Sequence, residues 1–207
     1  MARRPLTFRR LVGLDRSGGP PPETLSGHPL NPWTIPNAIG FARLALLPVF
    51  LAVALSTDDG QSTTAFVIYA IVAGTDYLDG MAARITGQYS RLGALLDPLT
   101  DRALVISGAI VAWKFDLLPR WALAVLAARE LLMLVLTRIA FKTGFELEVK
   151  MLGRWAVWPT MAALALCLIT SGWVVNACLY LGLALTLAVT VEYLVDGYRF
   201  FRPSSST

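Results

Sequence analysis

Residues 74–102 read GTDYLDGMAARITGQYSRLGALLDPLTDR. Four aspartates stand in this stretch, Asp76 and Asp79 at the end of one apolar run (64–85) and Asp97 and Asp101 near the start of the next (92–113). Each run has about the 20 residues needed to cross a hydrocarbon core of about 30 Å. An aspartate near the bilayer centre costs roughly 2.5–3.5 kcal/mol on insertion scales, so four of them need a compensating cation.

Spacing supplies a geometry. On a helix, Asp76, Asp79, Gly80, Ala83 and Arg84 recur at i, i+3, i+4, i+7 and i+8 and form one stripe. Gly93, Asp97 and Asp101 recur at i, i+4 and i+8 on the following helix. The link 85–91 contains Gly87 and is short enough to make the two helices antiparallel neighbours, so that two carboxylates from each converge. A cluster of hard oxygen donors without His or Cys suits Mg²⁺ or Mn²⁺ rather than Zn²⁺, and such ions commonly act on phosphates. Gly80, Ala83 and Gly93 remove side-chain bulk along the stripes and would admit a flat base or a diphosphate to the helix backbones. Arg84, one turn beyond Gly80, can offer a bidentate fork to a phosphate. Any one of these aspartates alone reads equally well as a proton relay or an interhelical hydrogen bond, and the small residues alone as close packing. The complete arrangement of acids, small residues and one arginine favours a metal-dependent phosphate site.

The rest of the chain extends the membrane reading. Of 207 residues, 56% are hydrophobic and 15% charged, and the mean hydropathy is +0.59, outside the range of a soluble domain. Apolar runs predict spans at 35–56, 64–85, 92–113, 121–141, 155–169 and 173–195: an all-α integral membrane protein of six transmembrane helices, with its active site between the second and third at the cytoplasmic side. Twelve cations fall on one side of that layout: Arg3, Arg4, Arg9, Arg10, Arg16, Arg84, Arg91, Lys142, Lys150, Arg154, Arg199 and Arg202. Only Lys114 and Arg120, with the acidic turn Asp58-Asp59-Gly60, fall on the other. Short cytoplasmic loops retain positive charge, so both termini are expected in the cytoplasm and the protein in the cell membrane. The net charge of +4 has no aromatic-interleaved patch behind it; an anionic lipid surface, not nucleic acid, is the expected partner.

Residues 1–30 are rich in Arg, Gly and Pro and lack an apolar core, which predicts a disordered cytoplasmic arm and no cleavable signal. Residues 31–200 form the membrane domain and 201–207 a cytoplasmic tail. Cys167 and Cys178 fall in apolar spans and read as inert core rather than a disulfide. His28, the single histidine, reads as a solvated or headgroup-level residue. Trp33, Trp113, Trp121, Trp155, Trp158 and Trp173 lie at or near span ends and read as interfacial anchors.

The stretch D-x-x-D-G-x-x-A-R, then eight residues, then G-x-x-x-D-x-x-x-D, resembles position for position the signature of the CDP-alcohol phosphotransferase (CDP-alcohol phosphatidyltransferase) family, with all eight defining residues present. The six-span layout carries the resemblance from about Trp33 to Tyr198. It implies a CDP-linked lipid donor, CDP-diacylglycerol, whose diphosphate lies over a metal site of two ions. Asp76, Asp79 and Asp97 are then the principal ligands, and Asp101 lies near the second metal and acts as the base. Gly80, Ala83 and Arg84, with Gly93, would hold the cytidine diphosphate. A carboxylate takes the proton of the attacking hydroxyl, CMP leaves and a phosphodiester forms. Members of the family are commonly homodimers.

The first span, NPWTIPNAIGFARLALLPVFL, resembles the opening of the phosphatidylglycerophosphate synthase and cardiolipin synthase branch, a Pro-Asn pair followed by an Arg: here Pro36, Asn37 and Arg43. Asn37 and Arg43 are therefore candidate acceptor contacts, although Asn37 also fits a helix cap and Arg43 a snorkelling side chain. Arg129-Glu130 in the fourth span matches the same branch, either as an acceptor contact or as a self-neutralising pair between helices. Relatives that make phosphatidylglycerophosphate usually carry G-K-x-K-T at the fifth span, where this chain has Gly153-Arg154-Trp155-Ala156-Val157. Arg154 retains one cation of that element; the second Lys and the Thr are missing. Glycerol 3-phosphate is the expected acceptor on overall resemblance, with phosphatidylglycerol close behind. An inositol phosphate acceptor fits less well. A prenyltransferase fits poorly, because its two Asp-rich motifs lie far apart in sequence. A non-enzymatic ion carrier would leave the Gly, Ala and Arg of the stripe unexplained.

Overall fold

The computed structural model describes residues 31–143 and 151–201. Among these, the regular structure is six α-helices: α1 Ile35–Leu55, α2 Thr63–Thr86, α3 Arg91–Lys114, α4 Arg120–Thr143, α5 Met151–Leu166 and α6 Trp173–Phe201. The N-terminal arm through residue 30 and the last six residues lie outside the described chain.

The helix starts are written in short hydroxyl side chains. Thr34 Oγ1 accepts from the Asn37 amide at 3.4 Å, Ser62 Oγ from Ala65 at 3.3 Å and Ser90 Oγ from Gly93 at 2.9 Å. Each hydroxyl satisfies an amide that has no partner within its own helix. Pro36 sits in the first turn of α1, where its missing N–H costs nothing. At the far end of α2 the chain turns because Gly87 takes φ 66°, a left-handed value that glycine adopts without a Cβ penalty. Five of the six helices match their predicted start within two residues. The fifth, α5, spans Met151–Leu166 and ends there because the Leu168 and Ile169 amides reach back only three residues, to Ala165 and Leu166, and tighten the chain into a turn. α6 continues past residue 195 to Phe201.

Among the described residues, three segments are long and apolar enough to cross a membrane: α1, α2 and Trp173–Val195 of α6, with mean hydropathies of 2.2, 1.2 and 2.1. The other three differ for identifiable reasons. α3 carries Asp97, Asp101 and Arg102 and α4 carries Arg129 and Glu130 inside the helix, while α5 has 16 residues. Large apolar side chains such as Val49, Ile71, Ile110, Leu131, Trp158 and Val191 point outward. Such an outward apolar surface is what lipid requires and water penalises.

By its contacts the chain divides into two compact units, residues 1–53 with 67–104 and residues 54–66 with 105–207. In the first, Leu47, Phe50, Tyr69, Val72, Leu96 and Leu104 are buried, and Phe50 meets Tyr69 edge to face with ring centroids 5.3 Å apart. In the second, α5 and α6 approach so closely at Gly182 that a Cβ there would lie 2.6 Å from the Thr160 amide nitrogen. Trp121 stacks on Tyr180 at 5.6 Å in the same unit. Cys167 and Cys178 are both free thiols.

Candidate active site

The first unit contains every aspartate of the motif. Its centre is Arg43, on the third turn of α1, with a side chain only 1% exposed. The Nε donates to the Val72 carbonyl at 3.1 Å. One terminal nitrogen, Nη1, donates to Asp76 Oδ1 at 2.9 Å and Asp79 Oδ2 at 3.0 Å, and Nη2 donates to Asp101 Oδ1 at 3.1 Å. Two stripes predicted to face one another therefore do meet, but around a guanidinium supplied by a third helix. The Asp79 carboxylate is 5% exposed, whereas those of Asp76 and Asp101 are 44% and 38% exposed, so the cluster has one walled side and one open side. Asp97, half-buried one turn before Asp101, is not among the carboxylates that Arg43 holds. It is followed by Pro98, whose missing N–H leaves the Ala94 carbonyl without its usual helical donor.

Gly80 and Arg84 form a second feature of the α2 stripe. A Cβ on Gly80 would lie 3.4 Å from Arg84 Nη1 and 3.8 Å from Nη2. The guanidinium thus folds back one turn over the gap that the glycine leaves, with half-buried Ala83 between them on the stripe.

Gly93 and Asn37 belong together. Asn37 is 1% exposed; its Nδ2 donates to the Asn31 and Pro32 carbonyls at 2.9 and 3.2 Å, and its Oδ1 accepts from Ser90 Oγ at 2.8 Å. A Cβ on Gly93 would lie 2.8 Å from Asn37 Oδ1 and 3.2 Å from Ser90 Oγ. The amide of Asn37 is consumed in tying the start of α1 to the start of α3, and Gln88 Oε1 adds a second tie by accepting from the Ile35 amide at 3.0 Å. Sequence reasoning did not single out Ser90 or Gln88. Ser90 was visible as an N-cap residue three positions before Gly93, but its second bond, to a residue 53 positions away, had no local signal.

In the second unit Arg129 and Glu130 form an ion pair, and Arg129 Nε donates to Thr190 Oγ1 at 3.1 Å. Thr190 Oγ1 in turn donates to the Thr186 carbonyl at 2.8 Å. That is the geometry of a self-neutralising pair joining α4 to α6. Arg154 lies in α5, but its side chain, like His28, is outside the described residues. Trp33, Trp113, Trp121, Trp158 and Trp173 are all exposed, as interfacial anchors would be.

Asp76, Asp79 and Asp101 supply only hard oxygen donors, and Asp76 and Asp79 reach the same nitrogen atom. This donor set fits Mg²⁺ or Mn²⁺ in kind. Among the described residues, however, no three acidic, His or Cys side chains stand in place to hold an ion as they are. The cation these oxygens surround is Arg43.

Outward apolar faces and a partly buried cluster of motif carboxylates on adjacent helices are the architecture of a helical membrane protein with a polar site. The profile of the CDP-alcohol phosphatidyltransferase family matches residues 33–190, and the chain belongs to that family. Family members are generally dependent on divalent metal. The chain is 37% identical over 158 residues to a CMP-forming cardiolipin synthase of Streptomyces coelicolor, covering 73% of each chain. It is 30% identical over 182 residues to a CDP-diacylglycerol–glycerol-3-phosphate 3-phosphatidyltransferase of Bacillus subtilis, covering 82% of this chain and 94% of the relative. A CMP-forming cardiolipin synthase of Homo sapiens is 38% identical over 90 residues, 43% of this chain and 29% of the relative.

Proposed function

We propose that this chain transfers the phosphatidyl group of CDP-diacylglycerol to the hydroxyl of a glycerol-based acceptor, releasing CMP, as a step of phospholipid synthesis in the cell membrane. The observation that supports it most directly is the convergence of Asp76, Asp79 and Asp101 on Arg43 inside the family signature. When bound, Mg²⁺ or Mn²⁺, in one or two ions, supplies Lewis acidity toward the donor diphosphate; Asp76, Asp79, Asp97 and Asp101 are the residues to hold it. Arg84, whose guanidinium lies over Gly80, donates to the diphosphate in this reading, with the small side chains of Gly80 and Ala83 beside it on the stripe. The acceptor oxygen attacks the phosphorus that bears diacylglycerol, the bond from that phosphorus to CMP breaks, and CMP departs with the bonding pair. Asp101, with a carboxylate 38% exposed on the open side of the cluster, takes the hydroxyl proton.

Six spans with both termini cytoplasmic remain the reading of the charge distribution, with the cluster near the cytoplasmic surface where soluble CMP can leave. The α3 and α4 spans are polar because they carry the chemistry and the Arg129–Glu130 pair.

Phosphatidylglycerol is the acceptor favoured by two observations. Identity to the Streptomyces cardiolipin synthase, 37%, exceeds the 30% to the Bacillus glycerol-3-phosphate enzyme, and Ala156 and Val157 stand where relatives using glycerol 3-phosphate usually show Lys and Thr. Glycerol 3-phosphate is the second reading, favoured by a match that runs through 94% of the Bacillus enzyme. The test offers purified protein labelled CDP-diacylglycerol, Mg²⁺ and either phosphatidylglycerol or glycerol 3-phosphate. Cardiolipin with equimolar CMP is expected from the first mixture. Phosphatidylglycerophosphate from the second alone would establish the second reading, and CMP release from neither would overturn the proposal.

A further inference from the structure

We infer that Arg43 is the resident counter-cation of the carboxylate cluster and that a divalent ion binds there in competition with it. This rests on the reading that Asp76, Asp79, Asp97 and Asp101 hold the metal. Four of the five N–H donors of a guanidinium are committed here, one to the Val72 carbonyl and three to Asp76, Asp79 and Asp101. Arg43 thus pairs with three of the four motif carboxylates at once. At 1% exposure the guanidinium has exchanged its water for these oxygens; uncompensated, neither Arg43 nor the 5% exposed Asp79 could remain so far from water.

The oxygens that Arg43 occupies belong to the residues that would ligate the metal. Asp76 and Asp79 both bond one nitrogen, Nη1, and two carboxylates drawn onto one donor cannot at the same time close around an ion there. This accounts for the fact that no three acids stand ready to hold an ion as placed. The arrangement has a use. Four aspartates inserted into lipid without a counter-charge would repel one another and draw in water, whereas Arg43 keeps α2 and α3 registered until metal and donor arrive. Arg43 is in this sense a positioning residue, acting on the substrate through the carboxylates. Because it contributes one fixed positive charge against the incoming two, its presence weakens metal affinity while stabilising the metal-free protein.

Mn²⁺ alone serves as the probe, with the free ion counted by its paramagnetic resonance signal against purified protein in detergent micelles. Wild type is expected to bind Mn²⁺, and Arg43→Met to bind it about tenfold more tightly or more. In chelator Arg43→Met is expected to melt below wild type, and saturating Mn²⁺ to raise its melting temperature by more than it raises that of wild type. Arg43→Lys, which keeps the charge, is expected to hold Mn²⁺ within about threefold of wild type. Arg43→Gln, close in shape and still able to donate to Val72, replaces the Met variant if that does not fold, with the same tightening expected. Equal or weaker Mn²⁺ binding by the neutral variants, with wild type binding normally, would overturn the competition and leave Arg43 a scaffold for the ligands. Failure of wild type itself to bind Mn²⁺ would instead remove the metal assignment of the carboxylates, and the inference with it.

Discussion

Gly93 separates two explanations of a motif glycine: room for the donor or room for Asn37. An added Cβ would stand 2.8 Å from Asn37 Oδ1 and 3.2 Å from Ser90 Oγ, and the Asn37 amide cannot swing aside without giving up its bonds to the Asn31 and Pro32 carbonyls. Gly93→Ala is therefore expected to break the Ser90–Asn37 hydrogen bond, leaving buried polar atoms unpaired at a cost of about 1–3 kcal/mol. The gain in helix propensity from Gly to Ala, at most about 1 kcal/mol, offsets part of this, and less than all of it because Gly93 lies in the first turn of α3. A net loss of about 1–2 kcal/mol corresponds to a fall in Tm of roughly 2–8 °C for a chain of this size. Thermal unfolding in micelles, followed by tryptophan fluorescence, measures it. Asn37→Ala removes the obstruction, so Gly93→Ala added to that variant is expected to cost little further, a coupling that a double-mutant cycle reads directly. If Gly93→Ala melts like wild type and loses affinity for CDP-diacylglycerol, the glycine serves the donor and the steric argument is refuted.

Chelation is expected to abolish CMP release, and Asp76→Asn, Asp79→Asn and Asp97→Asn each to lower turnover by orders of magnitude with the helical content unchanged; activity in excess chelator would exclude the metal site. Asp101→Asn is expected to lower the single-turnover rate by about 10²–10⁴-fold, the usual contribution of a general base, while retaining donor binding; loss of donor affinity as complete as in Asp97→Asn would make it chiefly a ligand. Gly182→Ala is expected to destabilise the second unit by about 1–3 kcal/mol through overpacking, since its Cβ would meet Thr160 backbone at 2.6 and 2.9 Å; an unchanged Tm would show that α5 and α6 part without cost. A cysteine at Gly87 is expected to react with an impermeant thiol reagent only from the cytoplasm and one at Asp59 only from outside, in a background lacking Cys167 and Cys178; the reverse pattern would invert the orientation.

The stripe on α2 was legible because helical periodicity is a local property: Asp76, Asp79, Gly80 and Arg84 share a face whatever else the chain does. The identity of the cation they meet was not. Arg43 lies 33 residues before Asp76 and 58 before Asp101, and nothing in the periodicity of α1 distinguishes a guanidinium aimed at carboxylates from one that snorkels or waits for an acceptor. The same holds for Asn37, which offers a helix-cap reading and a ligand reading in sequence, and in the fold spends both ends of its amide on Asn31, Pro32 and Ser90. Long-range partners of polar side chains are fixed by which helices become neighbours, and only that adjacency assigns them.

Hydropathy shows the converse. The helices that score as spans without ambiguity, α1 and the Trp173–Val195 segment, carry none of the motif's four aspartates, whereas α2, which carries two, scores 1.2 against their 2.2 and 2.1. α3 carries the other two together with Arg102, and is less apolar than the three segments long and apolar enough to span. Apolar character falls where the motif carboxylates sit, because each one subtracts from the transfer free energy that inserts its helix. Arg43 then acquires a second meaning. Placed on the most apolar helix of the first unit, where the cost of a charge is most easily borne, it brings a positive charge into direct contact with Asp79, the most buried of the three carboxylates it holds.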